Sequence, residues 1–430
     1  MPSRQHGRQY DLVVFGATGY TGKLTAEHIS THLPTDMSWA VAGRSRDKLE
    51  QVVAKCKLLN PDRRQPDIEV CSLDENELAT LAKKTFILIT TVGPYGIHGE
   101  HAFKACAENG THYLDVTGEV PYVARMIRKY EGAAKASGAI MLPQIGIESA
   151  PADLITLSLA SALRSKFSAP TRDVTVSMHN ISGTPSGGTL ASALTLLDNF
   201  TLSELRDAYR PYSLSPVPNP GAPSPPRSLL SRMSGLVTYP TLGLQTTSIA
   251  NRTDGALVER TWGILQQQEQ QQQQQGAGGS LPAPYGPNFS FREHMKPRNW
   301  LSGVAIHLGI LLLGLTLAIR PLRALVARFV YQPGEGPSDE DGTKDEVEFR
   351  GIADPDVEGP VAERAYCRAV FRGRSMYYLT GVLAAQAAST ILEDDIELEG
   401  GIYTPACLGQ GFIDRLNDAG FRFETKMVPV

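Results

Sequence analysis

The chain has 430 residues, 42% hydrophobic and 20% charged, enough for a sizeable core and for two or three domains. Its 41 Lys and Arg against 45 Asp and Glu give a formal charge of -4, and no basic run interleaves with aromatics, which excludes nucleic acid as an expected partner. The five cysteines are scattered and lack CxxC spacing, which argues for a reducing compartment and against structural zinc, and "MPSRQHGRQYDL" lacks the apolar region of a secretory signal.

From Tyr10 the pattern alternates short apolar runs with amphipathic stretches, which predicts β-α-β units and an α/β fold. "YDLVVF" (10–15) reads as a buried strand, and "GKLTAEHISTHL" (22–33) as a helix with Leu24, Ile29 and Leu33 on one side. "WAVAG" (39–43), "IEVCSL" (68–73), "FILITTV" (86–92), "HYLDV" and "AIMLP" (139–143) follow as strands, separated by predicted helices, one of which stops at Gly110. Six strands in this order predict a doubly wound parallel sheet of Rossmann type over residues 1–148.

The first strand runs into "GATGYTG", residues Gly16, Ala17, Thr18, Gly19, Tyr20, Thr21 and Gly22. A tight turn requires Gly16, a pyrophosphate lying on the backbone leaves no room for a side chain at Gly19, and Gly22 lets the helix approach the sheet. The helix N-terminus supplies unpaired N–H groups and the positive end of its dipole, so the segment is expected to bind a dinucleotide. The second strand ends in Gly43, Arg44 and Ser45, with Arg44 where a free ribose 2′-hydroxyl would call for an acid. A guanidinium there favours a 2′-phosphate, and the expected cofactor is NADP(H).

Thr91, Val92, Gly93 and Pro94 break the fourth strand at its carboxyl end, the rim where cofactor and substrate meet in this architecture, and they complete the expected cofactor contacts. Tyr95 and Asp115 are the expected catalytic residues, with Glu119, Glu148 and Ser149 as further candidates for the proton donor. Each also has a structural reading: Tyr95 as a packing aromatic, and Asp115, Glu119 and Ser149 as helix caps. The Tyr-x-x-x-Lys pair of short-chain reductases is missing, since Tyr130 and Lys135 are wrongly spaced, and no HExxH metal motif occurs.

Further on, "SGGTLASAL" (186–194) is a glycine-rich turn before a helix, and "QQQEQQQQQQGAGG" (266–279) reads as a low-complexity surface loop within 264–290. "LSGVAIHLGILLLGLTLAI" (301–319) carries no formal charge and as a helix would measure about 28 Å, just enough for a hydrocarbon core. Pro321 follows it, and "PLRALVARFVY" sets Leu322, Leu325, Val326, Phe329 and Val330 against Arg323 and Arg328 as a basic amphipathic helix. Residues 296–331 are therefore expected to form a hairpin docking on one leaflet of a membrane or lipid droplet. Basic residues on both flanks argue against a single crossing, and a buried core helix is the alternative. The tail holds a further helix in "CLGQGFIDRLNDAGF".

"VVFGATGYTGKL", "WAVAGRSRDKL", "TTVGPYGIHGE", "ACAENGTHYLDVTGE" and "GIESAPADL" together resemble the saccharopine dehydrogenase-like oxidoreductases, relatives of saccharopine reductase and of trans-acting enoyl reductases. The resemblance implies a Rossmann domain followed by an α+β substrate domain (149–295, resuming at 332–430), an NADP-type cofactor and association with membranes or lipid droplets. Taken with the apolar segment, it makes the expected protein an NADP-dependent oxidoreductase on the cytosolic face of such a surface, reducing a carbonyl or activated double bond of a small-molecule or lipid-like substrate. A homodimer is compatible with this reading. A non-catalytic scaffold and a saccharopine or amino-acid reductase are the alternatives. The chain departs from the family at the glutamine tract and at "FRGRSMYYLTGVLAAQAASTILE", where relatives carry a Gly-Asp-Pro-Gly-Tyr type motif.

Overall fold

The computed structural model describes residues 6–181, 187–219, 228–275, 281–326, 345–394, 396 and 398–430. Six strands, β1 (Tyr10–Phe15), β2 (Trp39–Gly43), β3 (Asp67–Val70), β4 (Thr85–Thr90), β5 (His112–Asp115) and β6 (Ile140–Leu142), lie parallel in the order β6-β5-β4-β1-β2-β3. The central strand β4 is buried along its whole length, as a sheet covered by helices on both faces requires of "TFILIT". Helices Glu100–Asn109 and Val120–Ser137 end on Gly110 and Gly138, whose left-handed φ angles of 68° and 80° are conformations glycine adopts without a Cβ penalty.

The second sheet takes β7 (Thr171–Ile181), β8 (Val237–Tyr239), β9 (Gly243–Thr247), β10 (Ser290–Met295), β11 (Glu346–Pro355) and β12 (Glu363–Arg372). The chain then returns to the first sheet, where β13 (Gly401–Ile402) pairs with β6 as a seventh parallel strand, before β14 (Arg422–Pro429) joins β12 at the edge of the second. Within the second sheet, in the order β14-β12-β11-β7-β10-β9-β8, only the β7–β10 pairing is parallel.

Two buried helices join the halves into one hydrophobic core. Helix Ala150–Phe167 lies against the second sheet so closely that a Cβ on Gly351 would sit 2.5 Å from Ile155. Helix Met376–Glu393 is buried from Tyr377 to Leu392 and packs on helix Tyr20–His32, which follows the glycine turn. The two approach at Gly381, where a Cβ would lie 3.0 Å from the backbone of Thr25. His28 sits in this contact with Nδ1 3.3 Å from the Tyr378 hydroxyl and Nε2 3.0 Å from the Gln386 amide, and burial lowers its pKa to about 3, so the imidazole is neutral. The segment that departs from the family motif is therefore the brace behind the nucleotide helix.

Two expectations are corrected. The glutamine tract is not a loop as far as Gln275: it prolongs helix Asn251–Gln275, in keeping with glutamine's good helix propensity, and residues 276–279 lie outside the described residues. The alternative of a buried core helix fails for the apolar segment, because Gly303 is the one buried residue of helix Trp300–Ala318. One stripe of it docks on the body. Gly303 packs under Leu236, its carbonyl accepts from Thr246 Oγ1 at 2.7 Å, and His307 Nδ1 lies 2.8 Å from Thr247 Oγ1. The chain then turns into helix Arg320–Val326, where buried Arg323 donates to the Leu317 carbonyl and pairs with Asp198 at 2.5 Å. Residues 327–331 of the expected hairpin lie outside the described residues.

Candidate functional site

The carboxyl ends of β1, β2 and β4 converge on the glycine turn. Gly16 adopts φ 86°, and a Cβ there would strike Val92 Cγ2 at 2.7 Å and Thr91 Oγ1 at 2.9 Å. Thr91 ties the turn to β4, its amide donating to the Phe15 carbonyl at 2.9 Å and its hydroxyl to the Gly16 carbonyl at 3.2 Å. A Cβ on Gly22 would lie 2.3 Å from the Gly16 carbonyl oxygen, so this position closes the helix onto the turn. Gly19 differs, since a Cβ there would meet only the Gly16 carbonyl oxygen, at 3.3 Å, and its outer side is open. Gly19 also caps helix Tyr20–His32, whose first turn holds no acid, while Ala17 is buried and Thr18 faces Gly43 across the cleft floor. This is a cradle of bare backbone at a helix N-terminus, the arrangement that suits an anion.

Arg44 is exposed, and its guanidinium has no ion-pair or hydrogen-bond partner among the described residues. Ser45 caps the helix Arg46–Leu59 without a side-chain hydrogen bond, which leaves its hydroxyl for a ligand as well. Burial and the positive charge of Arg44 lower the pKa of His98, which places the guanidinium near the Gly-Pro-Tyr turn. Such a pair at the end of β2 suits a 2′-phosphate, and the residues present fit NADP(H). Arg44→Ala is expected to weaken NADPH binding about ten-fold or more in a fluorescence titration while leaving NADH within about two-fold, since a charge-assisted bond to the phosphate contributes roughly 1.5–3 kcal/mol.

The candidate catalytic groups divide by what already holds them. Tyr95 is buried; its hydroxyl donates to the Thr90 carbonyl at 2.9 Å and accepts from the Val116 amide, and burial, reinforced by Asp115, raises its pKa well above the ordinary value. Asp115 has no exposed surface and accepts from Tyr113 Oη, Thr117 N and Gln144 N at 2.8, 3.0 and 3.0 Å; burial raises its pKa to about 6. Glu119 clasps the turn after Pro94, accepting from the Tyr95 and Gly96 amides at 2.7 and 3.0 Å, and from the Ser192 hydroxyl at 2.9 Å. These three side chains are committed to holding the loops beyond β4 and β5 in place.

Glu148 is different. It follows β6 on the same rim, is reached by solvent, and meets no hydrogen-bond or ion-pair partner among the described residues, yet dense protein around it raises its pKa by desolvation. A Cβ on Gly118, in the loop after β5, would lie 3.0 Å from Glu148 Oε2, so the missing side chain makes room for the carboxyl. Ser149 caps helix Ala150–Phe167 by position, but its buried hydroxyl has no partner.

Two features had no sequence signal. Ser192 lies on helix Gly187–Asn199, which also carries Asp198, so one helix touches both the Glu119 clasp and the hairpin. Of "SGGT", Ser186 and the Thr189 side chain lie outside the described residues. Gln144 is buried in a left-handed conformation with both amide atoms unpartnered.

Residues 12–142 match the family described as saccharopine dehydrogenase NADP binding domain. Over 448 residues the chain is 30% identical to a Mycobacterium tuberculosis protein assigned as a trans-acting enoyl reductase, covering 97% of this chain and 98% of that one. It is 27% identical to the human saccharopine dehydrogenase-like oxidoreductase over 441 residues and 97% of each chain. Apo saccharopine dehydrogenase (L-Glu forming) of Saccharomyces cerevisiae superposes with a TM-score of 0.53 over 97% of this chain and 99% of its own, at 12% identity, which shows a shared fold. A cofactor cradle shaped for NADP(H) and this full-length likeness lead to one conclusion: the chain belongs to the saccharopine dehydrogenase-like oxidoreductases and is an NADP-dependent oxidoreductase.

Proposed function

We propose that the protein reduces a lipid-like substrate, at an activated carbon–carbon double bond or a carbonyl, while seated on the cytosolic face of a membrane or lipid droplet. The observation that carries the reading is the outward face of helix Trp300–Ala318. Leu301, Leu308, Leu311, Leu312 and Leu315 are exposed there, continued by Ile319, Leu322 and Leu325 on one side and by Leu229, Leu230 and Met233 on the other. A connected apolar face of this extent is rare on a soluble monomer and common where a protein meets lipid.

The helix is long enough to cross a bilayer, but its attachments favour lying on one leaflet. His307 and Arg323 both bind the globular body, so the segment between them runs along the protein and turns back, with Arg320 at the bend suited to headgroups. Helix Gly187–Asn199 joins this face to the rim of the cofactor cleft, giving an apolar substrate a short route from lipid to NADPH. The enoyl reductase name of the mycobacterial relative supports a double bond as the group reduced.

The test is NADPH consumption by the full-length protein with trans-2-hexadecenoyl-CoA in phosphatidylcholine–phosphatidylserine vesicles, beside glutamate with aminoadipate semialdehyde in buffer. The expected result is vesicle-stimulated consumption with the acyl substrate and none with the amino acids. The reverse pattern would establish amino-acid chemistry, and consumption with neither would support a non-catalytic scaffold.

A further inference from the structure

We infer that Glu148 is the acid that delivers the proton during reduction. The assignment rests on the reductase reading above.

The reduction needs a proton donor on the nicotinamide side of the cleft, which in this fold is the rim formed by the loops after β4, β5 and β6. Three of the four carboxyl and phenol groups on that rim, Tyr95, Asp115 and Glu119, are spent on backbone and side-chain hydrogen bonds. Glu148 has none among the described residues, and Gly118 opposite leaves it space. Its carboxyl is open to solvent, and the protein packed around it raises its pKa by desolvation.

The loop that carries it, residues 143–149, is built like a ligand-binding surface. Gln144, with no exposed area, leaves its carboxamide oxygen and nitrogen unpartnered, and Ser149, 1% exposed, leaves its hydroxyl unpartnered. A buried polar group without a partner costs roughly 1–3 kcal/mol, so three such atoms in one loop point to a ligand that satisfies them. The loop is itself fixed: the Gln144 amide donates to Asp115 Oδ1 at 3.0 Å, Ile145 N to the Asp115 carbonyl at 2.8 Å, and Ile147 N to Thr380 Oγ1 at 3.3 Å.

Asp254, from helix Asn251–Gln275, and Glu293, from β10, are both buried, and the charge of Glu148 acts on Asp254. Glu293 is held by the Ser248 hydroxyl, and its backbone amide donates to Asn251 Oδ1 at 2.8 Å. The charged groups that act on Asp254 are acids: Glu293, Glu148, and Asp153 from helix Ala150–Phe167.

The substrate's β-carbon accepts the hydride from NADPH, the π pair of the double bond shifts to the α-carbon, and that carbon takes the proton as the Glu148 O–H bond breaks. A saturated chain, oxidised nicotinamide and the Glu148 carboxylate result, and the carboxylate regains its proton from water.

Glu148→Gln and Glu148→Asp test the assignment in the full-length protein, with trans-2-hexadecenoyl-CoA on vesicles as the probe. In Glu148→Gln, turnover is expected to fall about a hundred-fold or more, the fall in rate with rising pH to disappear, and NADPH affinity to stay within about two-fold. Glu148→Asp is expected to restore part of the rate. Independently of turnover, difference infrared spectra across a pH titration should show a carboxyl band titrating above the ordinary glutamate range in the wild type that Glu148→Gln lacks. Wild-type turnover with an unimpaired Gln variant would overturn the acid alone, as would absence of that band difference. Lack of turnover in the wild type would overturn the reductase reading and the acid with it.

Discussion

Gly22→Ala is expected to unfold the nucleotide-binding half at a temperature lower by about 5 °C or more and to abolish NADPH binding. The added Cβ would lie 2.3 Å from the Gly16 carbonyl oxygen, 2.8 Å from Thr91 Oγ1 and 2.9 Å from Ala17 Cα. Two of these atoms are backbone, fixed by β1 and by the hydrogen bonds from Thr91, so the clash is relieved only by moving the helix off the sheet. Overpacking of a well-fitted core costs roughly 1–3 kcal/mol, a large share of the total for a domain of this size. Gly19→Ala is the informative contrast. Its Cβ meets one atom at 3.3 Å and otherwise projects to the open side, so the domain should melt normally while losing NADPH. Melting curves with and without NADPH separate the two; equal behaviour of both variants would remove the distinction drawn between the packing glycine and the phosphate glycine.

Replacing Leu308, Leu311, Leu312 and Leu315 together by Glu is expected to reduce capture on phosphatidylcholine–phosphatidylserine vesicles by at least about a hundred-fold in a flotation assay, with the melting temperature little changed. All four side chains are exposed and support no core contact, whereas the residues that hold the helix to the body, Gly303, His307 and Arg323, are untouched. Each inserted leucine contributes roughly 1.5–3 kcal/mol, and a charge placed at lipid depth reverses the sign. Undiminished flotation would assign the apolar face to something other than lipid.

Much of the nucleotide half was legible in the sequence because its signals are local. Buried parallel strands read as apolar runs, and the three glycines answer to separate steric demands that a chain of letters displays directly. Other parts were not. Strand β13 is two residues long and carries no periodicity, yet it completes the first sheet from residues 401–402. Helix Met376–Glu393 is buried on nearly every side, so it has no amphipathic stripe to announce which partner it takes, and its packing on the cofactor helix appears only in three dimensions. The apolar helix was visible from its composition, but whether it was buried depended on what surrounds it.

The catalytic rim shows the same limit more sharply. Tyr95, Asp115, Glu119 and Glu148 all follow strands at the correct edge, and nothing in their spacing tells a side chain that clamps a loop from one that faces the cleft. Hydrogen bonding does: three are engaged, and Glu148 has no hydrogen-bond partner among the described residues.

The central claim, hydride transfer from NADPH to a lipid acyl chain at a membrane surface, is tested most directly by following the label. Full-length protein on vesicles with trans-2-hexadecenoyl-CoA and NADPH dideuterated at C4 should yield hexadecanoyl-CoA carrying one deuterium at its β-carbon, as read by mass spectrometry. An acyl pool that remains unsaturated and free of deuterium, while NADPH stays bound, would contradict it.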